Sequence, residues 1–118
     1  MRVQLEGQTL RLRIDEAELA QLLAGTAVEN HTRLPDGRIE IQRLCLAARL
    51  SWQRNDAVWH IDIPESEVRA LSARLPTREG LRFDLPTPHG EMLQVLFDVD
   101  VRDSARQRLH KPSKGDAA

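Results

Sequence analysis

Apolar and polar residues alternate from the second residue onward. Val3 and Leu5, then Leu10, Leu12 and Ile14, are interleaved with Arg2, Gln4, Arg11 and Arg13. A period of two marks strands with one wet face, and Glu6-Gly7-Gln8 between the runs makes them a hairpin. The period then lengthens. Asp15 with Glu18 three residues on has capping-box spacing, Leu19, Leu22 and Leu23 supply a helical apolar stripe, and Gly25 suits the C-terminal stop. Alternation returns over residues 26–34 and 38–44, which turn at Pro35-Asp36-Gly37.

The same order of elements recurs. Residues 46–53 and 57–63 predict a hairpin around Arg54-Asn55-Asp56, and Pro64 fits the first helical position, where its missing N–H costs nothing. Val68, Leu71 and Leu75 make a second apolar stripe. Pro76 to Gly80 breaks that helix, and residues 81–85 and 92–101 form a last hairpin across Pro86-Thr87-Pro88-His89-Gly90. Laid on residues 59–73, residues 10–24 share Ile14/Ile63, Glu16/Glu65, Glu18/Glu67, Leu22/Leu71 and Ala24/Ala73. These five identities exceed the roughly one expected by chance. Neither half is large enough to cover its own helix, so the two must share one core. The pattern predicts an α+β chain of two β-β-α-β-β (hairpin-helix-hairpin) repeats with a mainly antiparallel sheet. It forms one duplicated domain over residues 1–101, with halves of about 1–44 and 46–101. Residues 102–118 lose the alternation and become a polar, basic tail, with a short helical extension to Leu109 and disorder expected beyond Pro112.

The 118-residue chain is of ordinary single-domain size, and 41% hydrophobic with 30% charged residues describes a globular chain. A formal net charge of −1 provides no global field for nucleic acid or an anionic membrane. Cys45 is the only cysteine, which excludes an intrachain disulfide framework and a multi-cysteine metal site within one chain. Its neighbours Leu44 and Leu46 predict a buried, inert thiol. The charged N-terminal segment does not read as a signal peptide, and no apolar run approaches the ~18 residues of a membrane span. A cytoplasmic protein is expected.

The opening Arg2-Val3-Gln4-Leu5-Glu6-Gly7-Gln8-Thr9-Leu10-Arg11-Leu12-Arg13-Ile14, with Glu18-Leu19 beyond it, resembles a family of small bacterial proteins whose N-termini run R-I-x-I-x-G-x-S-I-R-x-R-L-x-x-x-E-V. The likeness extends loosely through Gly25 to Thr32 and Ile61 to Val68. It implies this fold and no activity. Members tend to end their last strand with E-K-D-F and a nearby cysteine, whereas here Asp98-Val99-Asp100-Val101 and Asp103-Ser104 hold neither lysine nor cysteine.

Strand parity then lists the face opposite the core: Arg2, Arg11, Arg13, Arg49, His60, Asp62, Arg82, Asp84, Asp98 and Asp100. Across the repeat, Arg11 and Arg13 match His60 and Asp62. A candidate ligand face is therefore Arg11, Arg13, His60, Asp62, Arg82, Asp84, Asp98 and Asp100, with arginines for an anion and carboxylates for a divalent cation. The plainer alternative is a solvated face of cross-strand ion pairs. No catalytic residue is assigned. His31, His60, His89 and His110 lack metal-ligand spacing, no nucleophile elbow or glycine-rich phosphate loop occurs, and no cofactor or bound metal is expected. The chain has two Trp, two Phe and no Tyr, and Trp52, Trp59, Phe83 and Phe97 all fall on core parity. That argues against a sheet that stacks nucleic-acid bases. Triphosphate-binding barrels that open with E-x-E-x-K are likewise not matched by Arg2-Val3-Gln4-Leu5-Glu6. The expected function is a non-enzymatic binding or interaction module, with a homodimer through an open sheet edge as one form of it. The alternative is a small-ligand or divalent-metal-dependent enzyme using the Arg/His/Asp face.

Overall fold

A computed structural model describes residues 1–101, and the tail beyond them, including the expected helical extension and disorder, lies outside the described residues. The elements are β1 (Arg2–Glu6), β2 (Thr9–Asp15), α1 (Glu16–Leu23), β3 (Val28–Arg33), β4 (Ile39–Ala47), β5 (Ser51–Asn55), β6 (Val58–Pro64), α2 (Glu65–Arg74), β7 (Leu81–Pro86) and β8 (Met92–Asp100). The chain is α+β, with two strand-strand-helix-strand-strand units and mainly antiparallel pairing. No helix among the described residues is long and apolar enough to cross a membrane.

Local chemistry accounts for the element ends. Asp15 caps α1 by accepting from the Glu18 amide at 2.7 Å, and the Glu18 carboxylate accepts in return from the Asp15 amide at 3.0 Å. This reciprocal pair satisfies two amides that the first helical turn leaves unbonded. Helix α2 starts differently, because Pro64 occupies the cap position itself and makes no side-chain bond. One predicted strand boundary also moves. Residues 46 and 47 belong to β4 rather than β5, because β4 is held alongside β6 as far as Ala47 opposite Pro64.

The hairpins of one half do not pair with each other. Four strands in the order β1-β2-β8-β7 make sheet I, and four in the order β3-β4-β6-β5 make sheet II. Each half therefore gives one hairpin to each sheet, with α1 crossing from sheet I to sheet II and α2 crossing back. The seam of each sheet is parallel, β2 with β8 and β4 with β6. The registers are equivalent: Leu10 pairs with Val95 as Trp59 pairs with Gln42, and Leu12 with Phe97 as Ile61 with Leu44.

A single core follows. It collects Leu10, Leu12 and Ile14 of β2, Ile61 and Ile63 of β6, Val95, Phe97 and Val99 of β8, Leu44 of β4, and Leu19, Leu22, Val68 and Leu71 of the helices. Trp59 and Phe97 are buried, while Trp52 and Phe83 are half-buried and packed against the same cluster. Each half thus covers the helix stripe that the other cannot cover alone.

Candidate functional site

The outer face of sheet I carries the densest charge. Register places Arg2, Arg13 and Asp98 in one row across β1, β2 and β8, and Gln4, Arg11, Leu96 and Arg82 in the next row across all four strands. Four arginines on these two rows, Arg2, Arg11, Arg13 and Arg82, meet one carboxylate. Asp98 binds two of them. Its Oδ2 accepts from Arg11 Nε at 3.1 Å and Nη2 at 3.0 Å, and its Oδ1 accepts from Arg13 Nε at 3.1 Å. The Asp98 side chain is only 14% exposed, whereas Arg11 and Arg13 keep 45% and 37%. The carboxylate is inset and the guanidinium edges stay open.

Asp98 is inset because of what precedes β7. A Cβ on Gly80 would lie 2.4 Å from the Phe97 carbonyl oxygen and 2.8 Å from Asp98 Cβ, so only glycine allows the chain this close to β8. Two shallow depressions meet on the face. One of about 180 Å³ is lined by Arg11, Arg78, Gly80, Leu81, Arg82, Leu96, Phe97 and Asp98, and one of about 490 Å³ by Gln4, Leu5, Glu6, Thr9, Arg11 and Leu96. Arg11 and Leu96 line both. Together the two form a groove across the strands, ~14 Å from β1 to β7 at the usual strand spacing. Arg78 and Arg82 stand at one end, and Gln4 and Glu6 of β1 at the other.

The other candidate residues lie around or away from this groove. Asp84 is opposite Gln94, one row further toward the β7–β8 turn, and Asp100 is opposite Asp15 at the other end of β8. His60 and Asp62 are on sheet II, between Arg43 and Gln53 and between Cys45 and Ser51 respectively. Asp62 accepts from the Ser51 hydroxyl at 3.3 Å. Parity relates the Arg pair to the His/Asp pair by the repeat, while the interleaving puts the pairs on different sheets. The described residues contain no group of three or more His, Cys, Asp or Glu able to hold a metal ion.

Sheet II has its own outer-face network. Glu29 contacts His31 Nε2 at 2.7 Å and accepts from Arg43 Nη1 at 2.6 Å. The hydrogen bonds from His31 and then Arg43 hold the Glu29 carboxyl below its ordinary 4.5, and Glu29 in turn raises the Arg43 guanidinium. Cys45 is half-buried rather than buried. It points to the face opposite Leu44, because its neighbours in a strand face the other way. Sequence parity does not single out Arg78, which lies outside the strands, or Leu96, although an apolar residue at a polar-parity position was a visible signal. Neither known protein-family models nor curated proteins yield a match to this chain, so the groove is judged by its own chemistry.

Proposed function

We propose that the protein is a non-enzymatic interaction module that takes an acidic, extended segment of a partner protein along the groove of sheet I. The observation that carries this reading is the imbalance of four arginines against one carboxylate on adjacent rows, with Leu96 set between Arg11 and Arg82. Asp98 shows the bonding in miniature: a carboxylate held by two guanidinium groups. Charge-assisted bonds of this kind are stronger and more directional than neutral ones. The groove is long and shallow, which suits a strip of polypeptide better than an enclosed small molecule. A local excess of positive charge on a chain of net charge −1 also favours recognition by one face, not general adhesion to polyanions. A single half-buried cysteine fits a reducing, cytoplasmic setting.

The test is fluorescence anisotropy of a labelled oligoglutamate peptide. Saturable binding that weakens with added salt is expected, with loss in the Arg11→Glu/Arg82→Glu double variant. Equal binding by wild type and variant, with both folded by circular dichroism, would refute the assignment. A phosphopeptide of the same length distinguishes a phosphate preference from a carboxylate one.

A second reading, a homodimer, rests on the edge strands β1, β7, β3 and β5, each with one pairing partner among the described residues. Light scattering behind size exclusion tests it; a monomer at every accessible concentration removes it.

A further inference from the structure

Sheet II carries, on its core-facing side, a row that its counterpart shows to be unnecessary for the fold. Asn30, Gln42, Trp59 and Arg54 lie side by side across β3, β4, β6 and β5. The equivalent row of sheet I is Phe83, Val95, Leu10 and Leu5, apolar throughout. Two sheets of the same topology can therefore be built with either row, and packing alone does not call for the polar one.

The polar row is also costly where it stands. Gln42 is 7% exposed and accepts a bond from Asn30 Nδ2 at 2.9 Å. Trp59 is 8% exposed, and its indole Nε1 has no hydrogen-bond partner among the described residues. A buried donor without an acceptor destabilises the free protein and is relieved by whatever supplies one. Above it the two indoles form a corner, with ring centroids 5.6 Å apart and planes at 64°. Arg54 fills that corner, its guanidinium carbon 5.4 Å from the Trp59 centroid and 5.6 Å from the Trp52 centroid. Glu40 Oε1 lies 3.9 Å from Arg54 Nη1. Arg54 and Glu40 also border a depression of about 380 Å³ that Asp36 and Asp56 line.

We propose that Trp52 and Trp59 form an aromatic site for an organic cation of guanidinium or alkylammonium size, in which Arg54 is the resident occupant that a ligand displaces. The ring faces attract a cation through their quadrupoles. Glu40 gives the incoming charge a carboxylate counterpart, and Asp36 and Asp56 outnumber Arg38 among the depression's remaining charges. The site lies on the sheet that the arginine groove does not use, so its failure would leave the groove reading untouched.

The experiment uses the chain's own signal, since Trp52 and Trp59 are its only tryptophans and all indole emission comes from the site. Wild type and Arg54→Ala are titrated with choline and, in parallel, with its uncharged isostere 3,3-dimethylbutan-1-ol at matched ionic strength. A saturable change in emission is expected for choline with Arg54→Ala, at millimolar ligand, and an affinity about tenfold lower for wild type, where Arg54 competes. Glu40→Gln in the Arg54→Ala background should weaken choline binding by roughly three- to tenfold. Arg54→Gln serves as the emptied variant should Arg54→Ala not reproduce the wild-type circular dichroism spectrum. An equal response to the uncharged isostere, or no saturable response from either emptied variant while folded, overturns the proposal.

Discussion

Asp98→Asn separates a functional arginine face from a merely solvated one, because stability and binding should move in opposite directions. The wild-type carboxylate accepts three N–H groups from Arg11 and Arg13. Fully buried charge-assisted bonds would each contribute ~1.5–3 kcal/mol. Both arginines, however, are more than a third exposed, and solvent screening reduces each pair toward the ~0–1 kcal/mol of surface ion pairs. Two such pairs give a loss of at most about 2 kcal/mol, with a fall in Tm of ~4–8 °C for each kcal/mol in a domain near this size. The same substitution removes the only negative charge on the rows of Arg13 and Arg11, leaving Glu6 at the β1 end of the groove. A ligand carboxylate ~6 Å from Asp98 at an effective dielectric of ~40–80 would gain about 0.7–1.4 kcal/mol, a roughly 3- to 10-fold tighter complex. Urea unfolding reads the first quantity and oligoglutamate anisotropy the second, both at low ionic strength. Binding that weakens in step with stability would show that Asp98 organises the site for its ligand rather than occupying the ligand's place. Unchanged binding would show that the ligand does not reach this row at all.

Two further outcomes test the surroundings of the sites. Gly80→Ala forces a Cβ to within 2.4 Å of a backbone carbonyl on β8, which β7 must back away from, and overpacking of this kind costs ~1–3 kcal/mol. A urea midpoint equal to wild type would mean the contact relaxes freely. Glu29 has a folded-state pKa held below 4.5 by its bonds from His31 and Arg43, so its contribution is complete above the unfolded value and is lost as pH falls through the lower folded one. The stability gap between wild type and Glu29→Gln should therefore narrow as the pH is taken from about 5.5 to about 3. A gap that stays constant or widens there contradicts the assigned partners.

Much of the local structure was legible because its causes are local. Asp15 and Glu18 announce the α1 cap by spacing alone, and the structure shows both of their reciprocal bonds. Alternation in residues 2–14 and 57–63 gave the faces of β1, β2 and β6 correctly, because strand parity is geometric and survives any choice of partner. Cys45 shows the limit of a neighbour-based argument. Its flanking leucines suggested burial, whereas parity, applied strictly, puts the thiol on the other side from Leu44. The end of β4 shows another limit, since alternation groups residues 46 and 47 with those up to 53, whereas pairing with β6 keeps both in β4.

The sequence by itself determined the two hairpin-helix-hairpin units, their shared core and the parity of the strands, whereas Arg49, which parity puts on the polar face, lies between β4 and β5 in no strand. Periodicity and capping act over a few residues, and each is written in adjacent side chains. Only the tertiary structure decided that the halves interleave, that β2 runs beside β8 and β4 beside β6, and that Arg11 and Arg13 meet Asp98 while His60 and Asp62 stand on another sheet. Those pairings join residues 85 or more positions apart in the case of Asp98. They depend on which exposed edges find each other once both helices need cover, and no local pattern encodes that choice. The same holds for Arg54 on the two tryptophans, where hairpin register and side-chain direction had to combine before an arginine on an apolar face became a candidate site.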